Sequence, residues 1–256
     1  MRKTSRGWRV ARVITEAVIF AGGVGRRMGD SARPKQFLEL GGRPIIDYTI
    51  AHFADHPLMD GIVVVCLEDW IPYLRSFLAT RHYRLPIDVI PGGDTGQESI
   101  FNGVAHLHAK HPGNPDAVVL VHDGVRPLID QRTISACIAS VAERGPTATI
   151  APSTETVIVT DDGGMVRDVL ARSRCGLARA PQGFALEELY AAHIRARAEG
   201  KDDFIDSVSM MSYYGHAIHS VEGPAENIKV TTPMDYYAFK GYMEARDQRM
   251  LWGDIQ

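Results

Sequence analysis

Short apolar runs, each closed by turn-forming residues, recur along the first half of the chain. Ala17-Val18-Ile19-Phe20, Gly61 to Cys66, Ile87 to Ile90 and Ala117 to Val121 are continuous and rich in β-branched residues. That pattern predicts strands buried on both faces. Between them, apolar residues fall at helical spacing over 44–56, 70–80 and Ser99 to about His108, with Pro44 suited to a helix start. Residues 132–143 predict another helix and Ala148-Thr149-Ile150 a fifth strand.

The rhythm then breaks. Residues 152–178 hold two alternating runs, Thr156 to Thr160 and Met165 to Leu170, around Asp161-Asp162-Gly163-Gly164. This predicts a β-hairpin, whose edges need cover. Helices at 185–199 and 204–213, a late strand over Ala217 to Val221 and an amphipathic helix at 233–247 complete the chain. Strand alternating with helix is the α/β signature. The expectation is a Rossmann-like, mostly parallel sheet with helices on both faces and a projecting β-arm, in a single domain spanning 16–250. In such sheets ligands sit at the carboxyl ends of strands. Three loops fall at such ends: the glycine-rich turn after Phe20, Pro91-Gly92-Gly93-Asp94, and His122-Asp123.

Composition adds boundaries. The 45% apolar and 23% charged fractions suit a globular chain, and the net charge of −3 gives no general attraction to nucleic acid or membrane. No apolar run reaches membrane-spanning length. Cys66, Cys137 and Cys175 form no C-x-x-C pair, which fits reduced thiols in a cytoplasm. His52 and His56 sit four apart but lack a third partner for a transition metal. Residues 1–15 carry five basic residues, no acid and no apolar core of a signal peptide, and read as a disordered extension.

The chemistry concentrates in residues 16–36. Ala21-Gly22-Gly23-Val24-Gly25 has almost no side-chain bulk, so its backbone N–H groups can approach a phosphate chain. Arg26, Arg27 and, beyond Pro34, Lys35 add cations. A dinucleotide fingerprint fails, because Gly29 comes one position late and no acid follows at the required distance. A Walker A loop is absent. A purely structural turn leaves the three cations unexplained. Further along, His122-Asp123-Gly124-Val125-Arg126-Pro127 puts a carboxylate at a strand end, where Mg²⁺ finds an oxygen ligand. The structural alternative for Asp123 is a helix N-cap, and the two roles can coexist. Asn227-Ile228-Lys229-Val230-Thr231 places a lysine between a strand and a helix.

The pattern A-G-G-x-G-x-R-M-G…P-K-Q, with H-D-G-V-R-P and N-I-K-V-T, resembles the cytidylyltransferases acting on sugar-alcohol phosphates, over roughly residues 16–245. These are the 2-C-methyl-D-erythritol 4-phosphate and D-ribitol 5-phosphate enzymes. The resemblance implies transfer of CMP from CTP to a polyol phosphate with release of pyrophosphate, Mg²⁺ as cofactor, and a homodimer clasped by the β-arm. It implies catalytic roles for Arg27, Lys35 and Lys229. Ala21, Gly22, Gly23, Gly25, Gly92, Gly93, Asp94, Ser99, Asp123 and Gly124 are expected to bind the nucleotide, with Ser99 and its loop reading cytosine. Asp123 and Glu226 are the expected metal carboxylates. Arg126, Thr156 and Arg174 are expected at the acceptor, the last from the arm. Family members often have T-P-Q where this chain has Ala180-Pro181-Gln182, so one acceptor hydroxyl is missing. The A-G-G start and the Ser99-Ile100-Phe101-Asn102-Gly103 run favour ribitol 5-phosphate over methylerythritol phosphate. A sugar-1-phosphate nucleotidyltransferase and a degenerate nucleotide-binding protein are the competing readings. Retention of Arg27, Lys35, Asp123 and Lys229 argues against the second.

Overall fold

The computed structural model of the chain describes residues 13–22 and 33–252. In chain order the elements are β1 (Thr15–Ala21), α1 (Ile45–Ala54), β2 (Gly61–Cys66), α2 (Ile71–Ala79), β3 (Ile87–Pro91), α3 (Gly96–Lys110), β4 (Val118–Asp123), α4 (Gln131–Arg144), β5 (Thr147–Pro152), β6 (Val157–Thr160), β7 (Val166–Leu170), β8 (Gly176–Ala185), α5 (Leu186–Ala198), α6 (Ser207–Tyr213), β9 (His219–Glu222) and α7 (Pro233–Trp252). Seven strands form one sheet in the order β9-β5-β8-β4-β1-β2-β3. All neighbours are parallel except β8, which runs antiparallel to both β4 and β5.

Side-chain alternation divides the core. Ala17 and Ile19 of β1, Ile62 and Val64 of β2, and Leu120 of β4 face Ile46, Ile50 and Phe53 of α1, Leu74 of α2 and Ile134 of α4. Val18, Val63, Val65, Val119 and Val121 point the other way, onto Ile100, Val104 and Leu107 of α3, Leu189 of α5 and Met210 of α6. Each central strand is therefore buried on both faces, as its continuous apolar run requires. Gly103 lets α3 lie close to the sheet, since a Cβ there would sit 2.5 Å from Val18 Cγ1. A third cluster joins α7, through Phe239 and Met243, to Ile45, Tyr48, Val125 and Val230.

Three differences from the sequence reading have physical causes. β8 was not expected, because Pro181 lies in its middle and proline is a poor central-strand residue. The sheet accommodates it by breaking register between Arg179 and Gln182. The basic extension was bounded at residue 15, yet Ile14 accepts a hydrogen bond from Val118 N and Thr15 starts β1. Residues 1–12 lie outside the described part. Pro44 caps α1 from just outside rather than opening it.

The hairpin of β6 and β7 stands apart from the main sheet. Ile158, Val159, Met165, Val166, Val169 and Leu170 are all exposed along it. Among the described residues no helix is long and apolar enough to cross a membrane.

Candidate active site

The strand order reverses direction at β1, with β2 and β3 on one side and β4 on the other. That makes a crevice beyond the carboxyl ends of β1, β3 and β4. Gly22 leaves β1 there, Gly92 and Gly93 leave β3, and Asp123 closes β4. Small size lets these turns touch. A Cβ on Gly22 would sit 2.7 Å from Ser99 Oγ, one on Gly92 3.0 Å from the same atom, and one on Gly93 2.2 Å from Glu98 Cγ. Ser99 is buried, and its hydroxyl accepts the Gly93 N–H at 3.1 Å. Thr95 caps α3 by accepting from Glu98 N, and Glu98 Oε2 accepts from Asp94 N at 2.9 Å. The loop expected to read the base is thus held by α3's first turn.

Two cavities open on this crevice. The larger, about 660 Å³, is lined by Ala21, Gly22, Lys35, Gly93, Asp94, Ser99, Asp123 and Lys229, among others. The smaller, about 340 Å³, is lined by Arg126, Ala178, Arg179, Ala180, Gln182 and Ile205 together with Asp123 and Lys229. Both volumes fall in the range of small-ligand sites, about 300–1,000 Å³. Phe20, Gly96, Asp123 and Lys229 belong to both walls, so the two spaces meet at one charged pair. The N-terminus of α3, the end of a helix that favours anions, also borders both.

Asp123 is the centre of that wall. Lys229 Nζ lies 2.6 Å from its Oδ1, and Arg126 Nε donates to Oδ2 at 2.7 Å. Burial alone would raise the Asp123 carboxyl, but Lys229 and Arg126 overcome it and bring the group down to about 2. It is a fixed anion at neutral pH. Neighbouring His122 is neutral: burial pushes its imidazole down to about 3. Its Nε2 lies 3.2 Å from the Arg126 carbonyl, which makes that nitrogen the donor.

The late lysine is positioned by a strap. Arg126 Nη1 donates to Asn227 O at 2.9 Å, and Val230 N donates to Val125 O at 2.9 Å. Fully buried Asn227 donates from Nδ2 to Ala180 O at 2.6 Å. Gln36 Nε2 donates to Ala21 O at 2.6 Å and ties the Lys35 turn to the end of β1. Asn227 and Gln36 lie inside the N-I-K-V-T and P-K-Q motifs, where each amide fixes the backbone that carries the neighbouring lysine. Gly124 lines neither cavity; it packs beneath the site, where a Cβ would lie 3.1 Å from Ala21 Cβ.

The structure brings together Ala21, Gly22, Lys35, Gly93, Asp94, Ser99, Asp123, Arg126 and Lys229. Gly23, Gly25 and Arg27 lie outside the described residues. Glu226 lines neither cavity, so of the two expected metal carboxylates only Asp123 is in the wall. Among the described residues no group of three or more His, Cys, Asp or Glu is placed to hold a metal ion. Thr156 and Arg174 are exposed near the arm and line neither cavity. Cys66 and Cys137 are buried, with thiols raised by burial to about 11 and about 12, and take no part in the site.

Residues 15–245 match the model of the IspD family, 2-C-methyl-D-erythritol 4-phosphate cytidylyltransferase. This chain belongs to that cytidylyltransferase family. Among its relatives, the ribitol-5-phosphate cytidylyltransferase of Vibrio parahaemolyticus is 44% identical over 93% of this chain and 99% of its own length. That of Streptococcus agalactiae serotype III is 44% identical over 92% and 98%. In fold, the chain is similar to 4-diphosphocytidyl-2C-methyl-D-erythritol synthase of Anaerococcus prevotii, with a TM-score of 0.78 at 24% identity, covering 91% of this chain and 96% of that one. The cytidylyltransferase of Francisella tularensis superposes with a TM-score of 0.71 at 27% identity over 89% and 99%. The mostly parallel sheet expected from the strand–helix rhythm is the sheet of this family.

Proposed function

We propose that this cytidylyltransferase moves CMP from CTP to D-ribitol 5-phosphate and releases pyrophosphate, by direct attack of the acceptor phosphate on the α-phosphorus. The observation that carries this is the pair of cavities meeting at Asp123 and Lys229. Both substrates are anions, and the main tasks are positioning and charge neutralisation. CTP takes the larger cavity, with cytosine against the Gly92–Asp94 loop beside Ser99 and the phosphates toward Lys35; Arg27 is assigned to the same phosphates from its place in the glycine-rich motif. The acceptor phosphate takes the smaller one. Lys229 then leaves Asp123 for the α-phosphate, where negative charge grows, and no covalent enzyme intermediate forms. The 44% identity to ribitol-5-phosphate enzymes supports ribitol over methylerythritol as acceptor.

Asp123 suits Mg²⁺, a hard cation that takes one or two carboxylates and completes its shell with phosphate oxygens and water. When bound, Mg²⁺ neutralises phosphate charge and polarises the reacting phosphoryl group. Glu226 is not needed for that set.

The exposed apolar residues of the β6–β7 hairpin support a homodimer in which this arm packs on a second copy, bringing Arg174 and Thr156 to the partner's acceptor cavity. The reaction belongs in the cytoplasm, as a step of wall or capsule polyol-phosphate synthesis.

Purified protein with CTP, Mg²⁺ and ribitol 5-phosphate is expected to release pyrophosphate and form CDP-ribitol, identified by mass. Methylerythritol 4-phosphate and glucose 1-phosphate are the comparison acceptors. Turnover only with glucose 1-phosphate and UTP would establish the sugar-1-phosphate reading instead. Absence of turnover with every acceptor would refute the proposal.

A further inference from the structure

Arg179 stands out among the cations of the smaller cavity. Arg126 is committed to Asp123 and Asn227, and Lys229 to Asp123. The carboxylate of Asp206, in the same wall, is also committed. Its Oδ1 accepts from Ser209 N and Oγ, and its Oδ2 accepts from Gln182 Nε2 at 2.9 Å. Arg179 has no carboxylate partner among the described residues. Its Nε is buried with no hydrogen-bond partner among the described residues. Burial and the nearby Arg126 charge both press its guanidinium below the ordinary value. A half-buried cation, next to a like charge and with a donor left unmatched, carries an uncompensated cost.

Its direction has a backbone origin. β8 follows β5 in register up to Arg179 opposite Thr149, and pairing resumes at Gln182 opposite Ala148. Two residues are inserted at that point. Such irregularities re-aim side chains and cluster beside active sites. Here Ala178, Arg179 and Ala180 all line the cavity.

We infer that Arg179 is the acceptor-phosphate anchor contributed by the same subunit, in place of the hydroxyl that Ala180 lacks. A guanidinium presents donors in a planar fork that matches a phosphate bidentately. The phosphomonoester of ribitol 5-phosphate supplies the missing anion, and its binding relieves the unmatched Nε. Arg179 borders only the smaller cavity, so it acts on the acceptor and not on CTP. This assignment rests on the functional reading above.

The test combines kinetics with thermal unfolding. Arg179→Gln is expected to raise the KM for ribitol 5-phosphate about 10- to 150-fold, the loss of a charge-assisted hydrogen bond. The KM for CTP stays within about twofold, because only acceptor binding is removed. Arg179→Lys, which keeps the charge and loses the fork, falls between. Ligand-free Arg179→Met is expected to melt at or above the wild-type temperature, since an uncompensated cation has gone. Ribitol 5-phosphate then raises the wild-type Tm but not that of the variant. A lower Tm for ligand-free Arg179→Met would mark the arginine as structural and overturn the assignment. Wild-type turnover with an unchanged acceptor KM in Arg179→Gln would overturn it alone. Wild-type protein that neither binds nor turns over ribitol 5-phosphate would overturn the functional reading and this assignment with it.

Discussion

Replacing Lys229 by methionine separates charge from packing at the point where the two cavities meet. The lysine Nζ lies 2.6 Å from Asp123 Oδ1. Lys229 and Arg126 together bring the buried Asp123 carboxyl from 3.8 to about 2. At about 1.36 kcal/mol per pH unit, that difference is roughly 2.5 kcal/mol. The lysine side chain is 39% exposed, so solvent screening discounts its share. A loss of about 1 kcal/mol of stability at neutral pH is expected. The sign follows from linkage: a carboxyl depressed by folding contributes stability above its unfolded value and loses it as pH falls. Wild-type protein therefore loses this contribution between about pH 4 and pH 2; in Lys229→Met, where Asp123 is less depressed, the contribution is smaller and its loss is complete at a higher pH. Catalysis should suffer far more. Removing one fixed donor aimed at developing charge costs about 2.7–4 kcal/mol, or about 10²–10³ in kcat. Steady-state pyrophosphate release, with urea unfolding at several pH values, reads both effects. A kcat within about threefold of wild type would refute the idea that Lys229 meets charge that grows only in the transition state.

Three further outcomes follow from particular contacts. Gly103→Ala would put a Cβ 2.5 Å from Val18 Cγ1, and urea unfolding should show a loss of about 1–3 kcal/mol from overpacking. Gly22→Ala would drive a Cβ to 2.7 Å from Ser99 Oγ and part the two nucleotide loops. Its KM for CTP should rise at least about tenfold, with the acceptor KM little changed. Arg174→Ala should raise the KM for the acceptor far more than that for CTP, if the arm of a second copy reaches the site. An equal change in both, or a monomer by light scattering at assay concentration, would contradict that arrangement.

Much of this architecture was legible because the central strands need apolar residues on both faces. Runs such as Gly61 to Cys66 announce themselves, and the loops that follow them define the crevice. Asp123 was legible for a different reason, as a carboxylate closing a buried strand and followed by Gly124, while Lys35 and Lys229 drew their meaning from the P-K-Q and N-I-K-V-T motifs around them. β8 was hidden because Pro181 contradicts a central strand until the register break beside Arg179 is seen. Arg179 itself could not be singled out, since its meaning depends on Asp123 and Asp206 being already occupied. Asn227 was hidden by distance. Its partner carbonyl, Ala180 O, belongs to a strand that had not been recognised.

The account turns on two anions meeting across the Asp123–Lys229 pair. A crystal structure with a non-hydrolysable CTP analogue, Mg²⁺ and ribitol 5-phosphate tests it most directly. The expected result is cytidine in the larger cavity, the acceptor phosphate in the smaller, and Lys229 Nζ moved from Asp123 onto the α-phosphate. An acceptor oxygen should stand about 3–3.5 Å from the α-phosphorus. A nucleotide bound away from Lys35 and Lys229, or an acceptor lying outside the smaller cavity, would contradict it.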